Sequence, residues 1–190
     1  IELGWAGMAI PQAYGGFDFG YGGLGVVLEE TGKTLVSSPL ISTVLVGATA
    51  IVQLGSETQK QDLLPKIVAG ELLTALALDE HTSHNPSKIA TTATKVDGGY
   101  SLNGSKTFVL DGHIADLLIV AARTSGETDG EQGISLFLVD ANVKGLSVAR
   151  TIMVDSRNSS NIQFNNVVVA ENALLGELDQ GFKGLDSVLD

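Results

Sequence analysis

Two short stretches concentrate the side chains able to do chemistry. Residues 76–86 read Leu-Ala-Leu-Asp-Glu-His-Thr-Ser-His-Asn-Pro, and residues 108–110 read Phe-Val-Leu. Asp79, Glu80, His81 and His84 could in principle ligate a metal. Their spacing fits no standard zinc template, however, and a short His/Asp loop is commonly a solvated turn, so no metal is expected. His113, beside Asp111 at a turn, is expected at the surface. Arg157 with Ser159 and Ser160 could touch a phosphate, but an ordinary polar loop accounts for the same residues. Gly15-Gly16 and Gly22-Gly23 make no dinucleotide fingerprint, because no preceding strand delivers a Gly-x-Gly-x-x-Gly turn to a helix. Trp5 and Tyr14 read as packing anchors for the first turn.

Bulk properties narrow the class. The 190 residues are 44% hydrophobic and 17% charged, ordinary for a chain that buries a core. With six Phe, three Tyr and one Trp, that core must be mainly aliphatic. Eleven basic against 22 acidic residues give a net charge of -11, which argues against a nucleic-acid partner needing a basic stripe. Cysteine is absent, so disulfides and thiolate metal sites are excluded and a cytoplasmic setting is expected. The longest apolar run, Ile41 to Leu54, is interrupted by Ser42, Thr43, Gly47, Thr49 and Gln53. It is also too short to cross a bilayer, and no membrane partner is expected. The chain opens inside a motif and stops inside a helical pattern after Leu185 and Val188, as a piece of a longer protein would.

The positioning elements change character along the chain. From Tyr21 to about Gly70 the period is helical: Leu24, Val27, Leu28 and Thr31 recur at three- and four-residue steps, with Gly32 as a stop. Ser38-Pro39 opens a run apolar on nearly every side, which predicts a helix buried in a bundle. Ser56 and Gln59 have capping-box spacing, and Pro65 is expected to split the following helix. After Leu72 the texture is β. Asp97-Gly-Gly99 signals a hairpin and Asn103-Gly104 a second turn. Strand-like runs lie at 91–96, 100–102, 106–110, 117–123, 134–139, 146–154 and 162–169, roughly seven short strands of a sandwich or barrel. Residues 125–133 read as a solvated loop. The fold class is therefore α+β: a helical N-terminal part, an antiparallel β-barrel or sandwich, and the start of a C-terminal helix.

Four segments carry a resemblance to the acyl-CoA dehydrogenase family: Glu2–Gly16 (ELGWAGMAIPQAYGG), Gly55–Glu71 (GSETQKQDLLPKIVAGE), Tyr100–Thr124 (YSLNGSKTFVLDGHIADLLIVAART) and Phe164–Gly176 (FNNVVVAENALLG). The resemblance implies domains at 1–73 (N-terminal helical, incomplete), 74–175 (middle β) and 176–190 (start of a C-terminal helical domain). It implies FAD as cofactor, an acyl-CoA substrate and an electron-transfer flavoprotein or similar acceptor, in a homo- or hetero-oligomer. In such enzymes a base removes the α-proton while the flavin accepts hydride from the β-carbon, in fatty-acid or steroid side-chain oxidation. The family's base lies in its C-terminal domain, so no catalytic residue is expected here, and this stretch alone is expected to be inactive.

Matched residue by residue, the resemblance places cofactor-binding positions at Leu76, Ala77, Leu78, Asp79, Phe108, Val109 and Leu110, and a substrate-binding position at Asn85. Three depart from the family pattern. Asp79 stands where Thr is usual, Leu110 where a hydroxyl donates toward the flavin, and His84-Asn85-Pro86 replace Gly-Ser-Asp. Leucine cannot donate, and a carboxylate at Asp79 opposes an anionic reduced ring unless protonated or turned toward a cation. Two readings follow: a working flavoenzyme with unusual site residues, or a non-catalytic, flavin-deficient partner subunit of a heteromeric member.

Overall fold

A computed structural model describes residues 4–155 and 157–189. The helical part contains α1 (Gly20–Lys33), a π-helical segment (Leu40–Ala48) running directly into α2 (Thr49–Leu54), and α3 (Glu57–Val68). The apolar run is buried as its pattern predicts: Val44, Ala48, Ala50 and Ile51 are all at most 2% exposed. A small core joins Ile10, Ala48, Ile51, Leu64 and Ile67. The capping box forms, with Gln59 N donating to Ser56 Oγ at 3.2 Å and Ser56 N donating to Gln59 Oε1 at 2.9 Å. The expected split at Pro65 does not occur, since α3 continues through it. Proline deletes one helical N–H near the helix end, while burial of Leu64 and Ile67 on either side holds the turn in place.

Eight strands follow: β1 (Thr74–Ala77), β2 (Thr92–Val96), β3 (Gly99–Leu110), β4 (Leu117–Arg123), β5 (Ile134–Asp140), β6 (Leu146–Ile152), β7 (Asn158–Ala170) and β8 (Leu174–Leu175). They form one sheet in the order β6-β7-β3-β2-β4-β5-β8, with β1 beside β4. Most pairs are antiparallel, as expected, but β1 and the first residue of β2 run parallel to β4, making the sheet mixed. Among the described residues its path does not close into a barrel. Strand β4 is buried on both faces, which explains its unbroken apolar sequence. Leu118, Val120 and Ala122 enter one core with Phe137 and Phe164, and Ile119 and Ala121 enter another with Ala50 and Leu185. Leu185 belongs to α4 (Gly181–Leu189), which closes this second core beside α2.

The Asp97-Gly98 turn joins β2 to β3 with Val96 opposite Gly99, as predicted. Asn103-Gly104 is not a turn. It lies inside β3, where the register against β7 shifts between Leu102 and Gly104. Gly104 has φ of 146°, and a Cβ there would stand 2.5 Å from Thr91 Oγ1, so the pair marks a bulge where two backbones approach.

Helix and sheet meet tightly. A Cβ on Gly47 would lie 1.8 Å from Thr74 Oγ1. That closeness lets Thr43 Oγ1 accept from Thr74 N at 3.0 Å and donate to Thr74 O at 3.2 Å. The start of β1 is thereby pinned to the π-helical segment, which orients its far end.

Candidate functional site

Beyond β1, residues Leu78–Glu80 run alongside β3, and Thr107 N donates to Asp79 O at 2.7 Å. Here β3 slips register a second time, between Lys106 and Val109. Inside that slip Phe108 takes φ of 52° and remains 50% exposed. A positive φ is costly for a bulky residue, so the bulge holds an aromatic ring outward at an energetic cost, a feature that clusters at functional sites.

A pocket of about 170 Å³ opens at this junction. Six of the eight positions singled out in the sequence line it: Leu76, Leu78, Asp79, Phe108, Val109 and Leu110. The other two stand elsewhere. Ala77 points into the β core, as strand alternation requires of the residue between Leu76 and Leu78. Asn85 lies off the pocket, its Oδ1 accepting from Ser87 Oγ at 2.9 Å. The structure adds Ser42 and Val46 from the π-helical segment, Thr107, Leu189 and His84. The hydroxyl of Ser42 is engaged, donating to the Asp111 carboxylate at 2.6 Å. The π-helical residues carried no local signal, because only tertiary contact brings that segment to the strands.

Two pairs of acidic and basic side chains flank the junction. Lys106 Nζ donates to Glu80 Oε1 at 2.8 Å and to Leu78 O at 2.9 Å, with side-chain exposures of 0% for Lys106 and 5% for Glu80. Glu80 also accepts from Ala90 N at 2.7 Å and Thr91 N at 2.9 Å. Burial pulls Lys106 down to about 8, against the restraining pull of Glu80. Burial works against ionisation of Glu80 as well, but the Lys106 ammonium and the hydrogen bonds from Lys106 and Thr91 outweigh it. The carboxyl is thus held below its usual range. Lys106 escaped the sequence reading, though its place among apolar strand residues was a usable signal.

The second pair faces outward. His84 Nδ1 sits 3.1 Å from both oxygens of Asp79, so Asp79 is turned toward an imidazole. Among the described residues no group of three His, Asp or Glu side chains converges.

Two other expectations change. His113 is half-buried rather than at the surface, and its enclosed Nδ1 has no hydrogen-bond partner among the described residues. Ser159 and Ser160 lie not in a polar loop but on β7, buried opposite Leu110 and Val109. The 125–133 loop is exposed as expected, but it is organised from beneath by Arg123. This guanidinium donates to the carbonyls of Ser87, Ile89, Thr128, Gly130 and Gln132.

Leu76, Leu78, Val109 and Leu110 give the pocket an apolar lining, Phe108 adds an aromatic ring, and Ser42, Thr107, Asp79 and His84 supply its polar side chains. No hydroxyl stands at Leu110.

Comparison with known proteins bears on this geometry. The family model described as acyl-CoA dehydrogenase, N-terminal domain, matches residues 1–71, and the one described as acyl-CoA dehydrogenase, middle domain, matches residues 75–167. An acyl-CoA dehydrogenase of Bacillus subtilis (strain 168) is 34% identical over 185 residues, 94% of this chain and 48% of the relative. The three-dimensional structure of butyryl-CoA dehydrogenase from Megasphaera elsdenii is similar with TM-score 0.88 and 31% identity, over 98% of this chain and 51% of that one. The ChsE4-ChsE5 complex from Mycobacterium tuberculosis is similar with TM-score 0.89 and 25% identity, over 98% and 49%. The chain spans about half the length of the relatives it matches.

Proposed function

Because the chain belongs to the acyl-CoA dehydrogenase family, we propose that the protein it forms part of oxidises an acyl-CoA thioester between its α and β carbons, with FAD as cofactor. The observation that carries this reading is the meeting of the β1 extension with the β3 bulge. That junction holds Phe108 outward beside an apolar wall suited to a planar ring. When bound, the flavin would supply the hydride acceptor. Phe108 would cover one face of the ring, while Leu76, Leu78, Val109 and Leu110 exclude water from it. Asp79 and His84 give the pocket a carboxylate and an imidazole, and the buried Lys106–Glu80 pair ties the segment after β1 to β3. The proton-abstracting base belongs to the part of the protein beyond this chain. An electron-transfer flavoprotein or similar acceptor would reoxidise the cofactor. Full-length protein purified alone is expected to carry stoichiometric FAD and to reduce an artificial dye with an acyl-CoA. A colourless, inactive preparation would overturn the proposal.

Leu110 favours a second reading. A ring lined by leucine, where a hydroxyl would donate, loses a contact typically worth on the order of 1–3 kcal/mol. The protein would then be the flavin-deficient partner of an intact homologue, an arrangement compatible with a two-component neighbour such as the ChsE4-ChsE5 complex. Under that reading, activity appears only on co-purification with the homologue, and all of the flavin belongs to the second subunit's site.

A further inference from the structure

We infer that Asp79 and His84 form a proton-accepting dyad on the flavin pocket, which takes up one proton when the bound ring gains negative charge on reduction. This rests on the flavin reading above and goes beyond it by giving this chain's own residues a charge-compensating role.

The geometry fixes which atom can act. An ionised carboxylate only accepts hydrogen bonds. Its two oxygens, each 3.1 Å from His84 Nδ1, therefore hold the proton of a neutral imidazole on Nδ1. Nε2 is left with a lone pair and can take a proton. Both side chains line the same pocket as Phe108 and Leu110. With leucine at 110 giving no donor, a protonated Nε2 is a donor that this wall can form.

The other charges near the pair determine what it does. Lys106 is within electrostatic reach of Asp79, but its hydrogen bonds go to Glu80 and the carbonyl of Leu78. The His81 carbonyl accepts from Thr107 Oγ1 at 3.3 Å, which fixes the backbone of the loop carrying His84. Asp111 is engaged by Ser42. Of the titratable groups lining the pocket, Asp79 is the carboxylate and His84 the base beside it. An unneutralised Asp79 would repel an anionic reduced ring, whereas an imidazolium at His84 cancels that charge. A reductant that delivers two electrons to the ring with one solvent proton would be accompanied by a second solvent proton bound at His84 Nε2. The imidazole is 60% exposed, so that proton has a direct path from water.

The test uses the full-length, flavin-loaded protein, titrated anaerobically with dithionite while proton uptake is followed with a pH indicator across about pH 6–9. Within part of that range the unsubstituted protein should bind one proton more per two electrons than the His84→Gln variant. Asp79→Asn should shift the pH at which the extra proton appears. Equal uptake in all three flavin-loaded proteins overturns the dyad and leaves the flavin reading intact. A full-length protein that binds no flavin overturns both.

Discussion

Glu80 and Asp79 are neighbours in the chain, and each carboxylate has a basic partner, yet the two pairs live in different media. Past the end of β1, where strict alternation no longer holds, Glu80 turns inward to Lys106, where both side chains are enclosed, and Asp79 turns outward to His84, where the side chains are 29% and 60% exposed. The inner pair is hydrogen-bonded on several sides and ties β3 to the segments before β2 and after β1. The outer pair ties nothing across the sheet. One wall of the pocket thus rests on a charge pair that water does not reach, while its face carries a carboxylate–imidazole pair that is open to water. A buried pair can hold geometry because breaking it strands a charge, and an exposed pair can respond to a ligand because breaking it costs little.

The largest effect should come from breaking the inner pair. Lys106→Ala leaves Glu80 charged and enclosed, and is expected to cost about 3–5 kcal/mol in denaturant unfolding. A loss below about 1 kcal/mol would mean that the pair does not anchor the strands. Arg123 lets the comparison be sharpened with a cation that has no carboxylate partner among its hydrogen bonds. Arg123→Ala removes charged donors from five carbonyls and should cost at least about 1.5–3 kcal/mol. Proteolysis should then focus on residues 125–133, which that guanidinium organises.

The pH response separates the pairs in another way. The Glu80 carboxyl is held below its unfolded value of 4.5, so its contribution to stability is complete above that pH and is lost as pH falls through the lower folded value. Glu80→Gln should flatten this acid limb of the stability curve, whereas Asp79→Asn should leave the greater part of it. A limb of unchanged slope in Glu80→Gln would assign acid sensitivity elsewhere. The smallest effect belongs to His84→Ala, within about 1 kcal/mol of the unsubstituted protein. A larger loss would show that the outer pair is structural and would weaken its assignment to the ligand.

Much of the architecture was legible because it is local. Hairpin chemistry at Asp97-Gly98, the Ser56/Gln59 cap and the switch from a period of 3.6 to a period of 2 are written in neighbouring residues. Six of the eight positions that the resemblance points to line one pocket. Where the reading failed, a local signal was overruled by packing. Asn103-Gly104 has the composition of a turn, but continued pairing with β7 absorbs it as a bulge. Pro65 has the composition of a break, but buried neighbours carry the helix across it. Asn85 follows His84 in the chain but stands outside the pocket that His84 lines, its side chain taken up by Ser87.

What the sequence determined by itself is the inventory: helices before strands, a β unit rich in aliphatics, an acidic surface, and a family pattern broken at Asp79, His84 and Leu110. Only the tertiary structure decided that Lys106 turns inward to Glu80 and that Phe108 turns outward at a strained residue. It also decided that a π-helical segment some thirty residues upstream supplies one side of the pocket. Inward and outward are set by strand register, and register depends on which distant segments share a sheet. No local window of the chain contains that information.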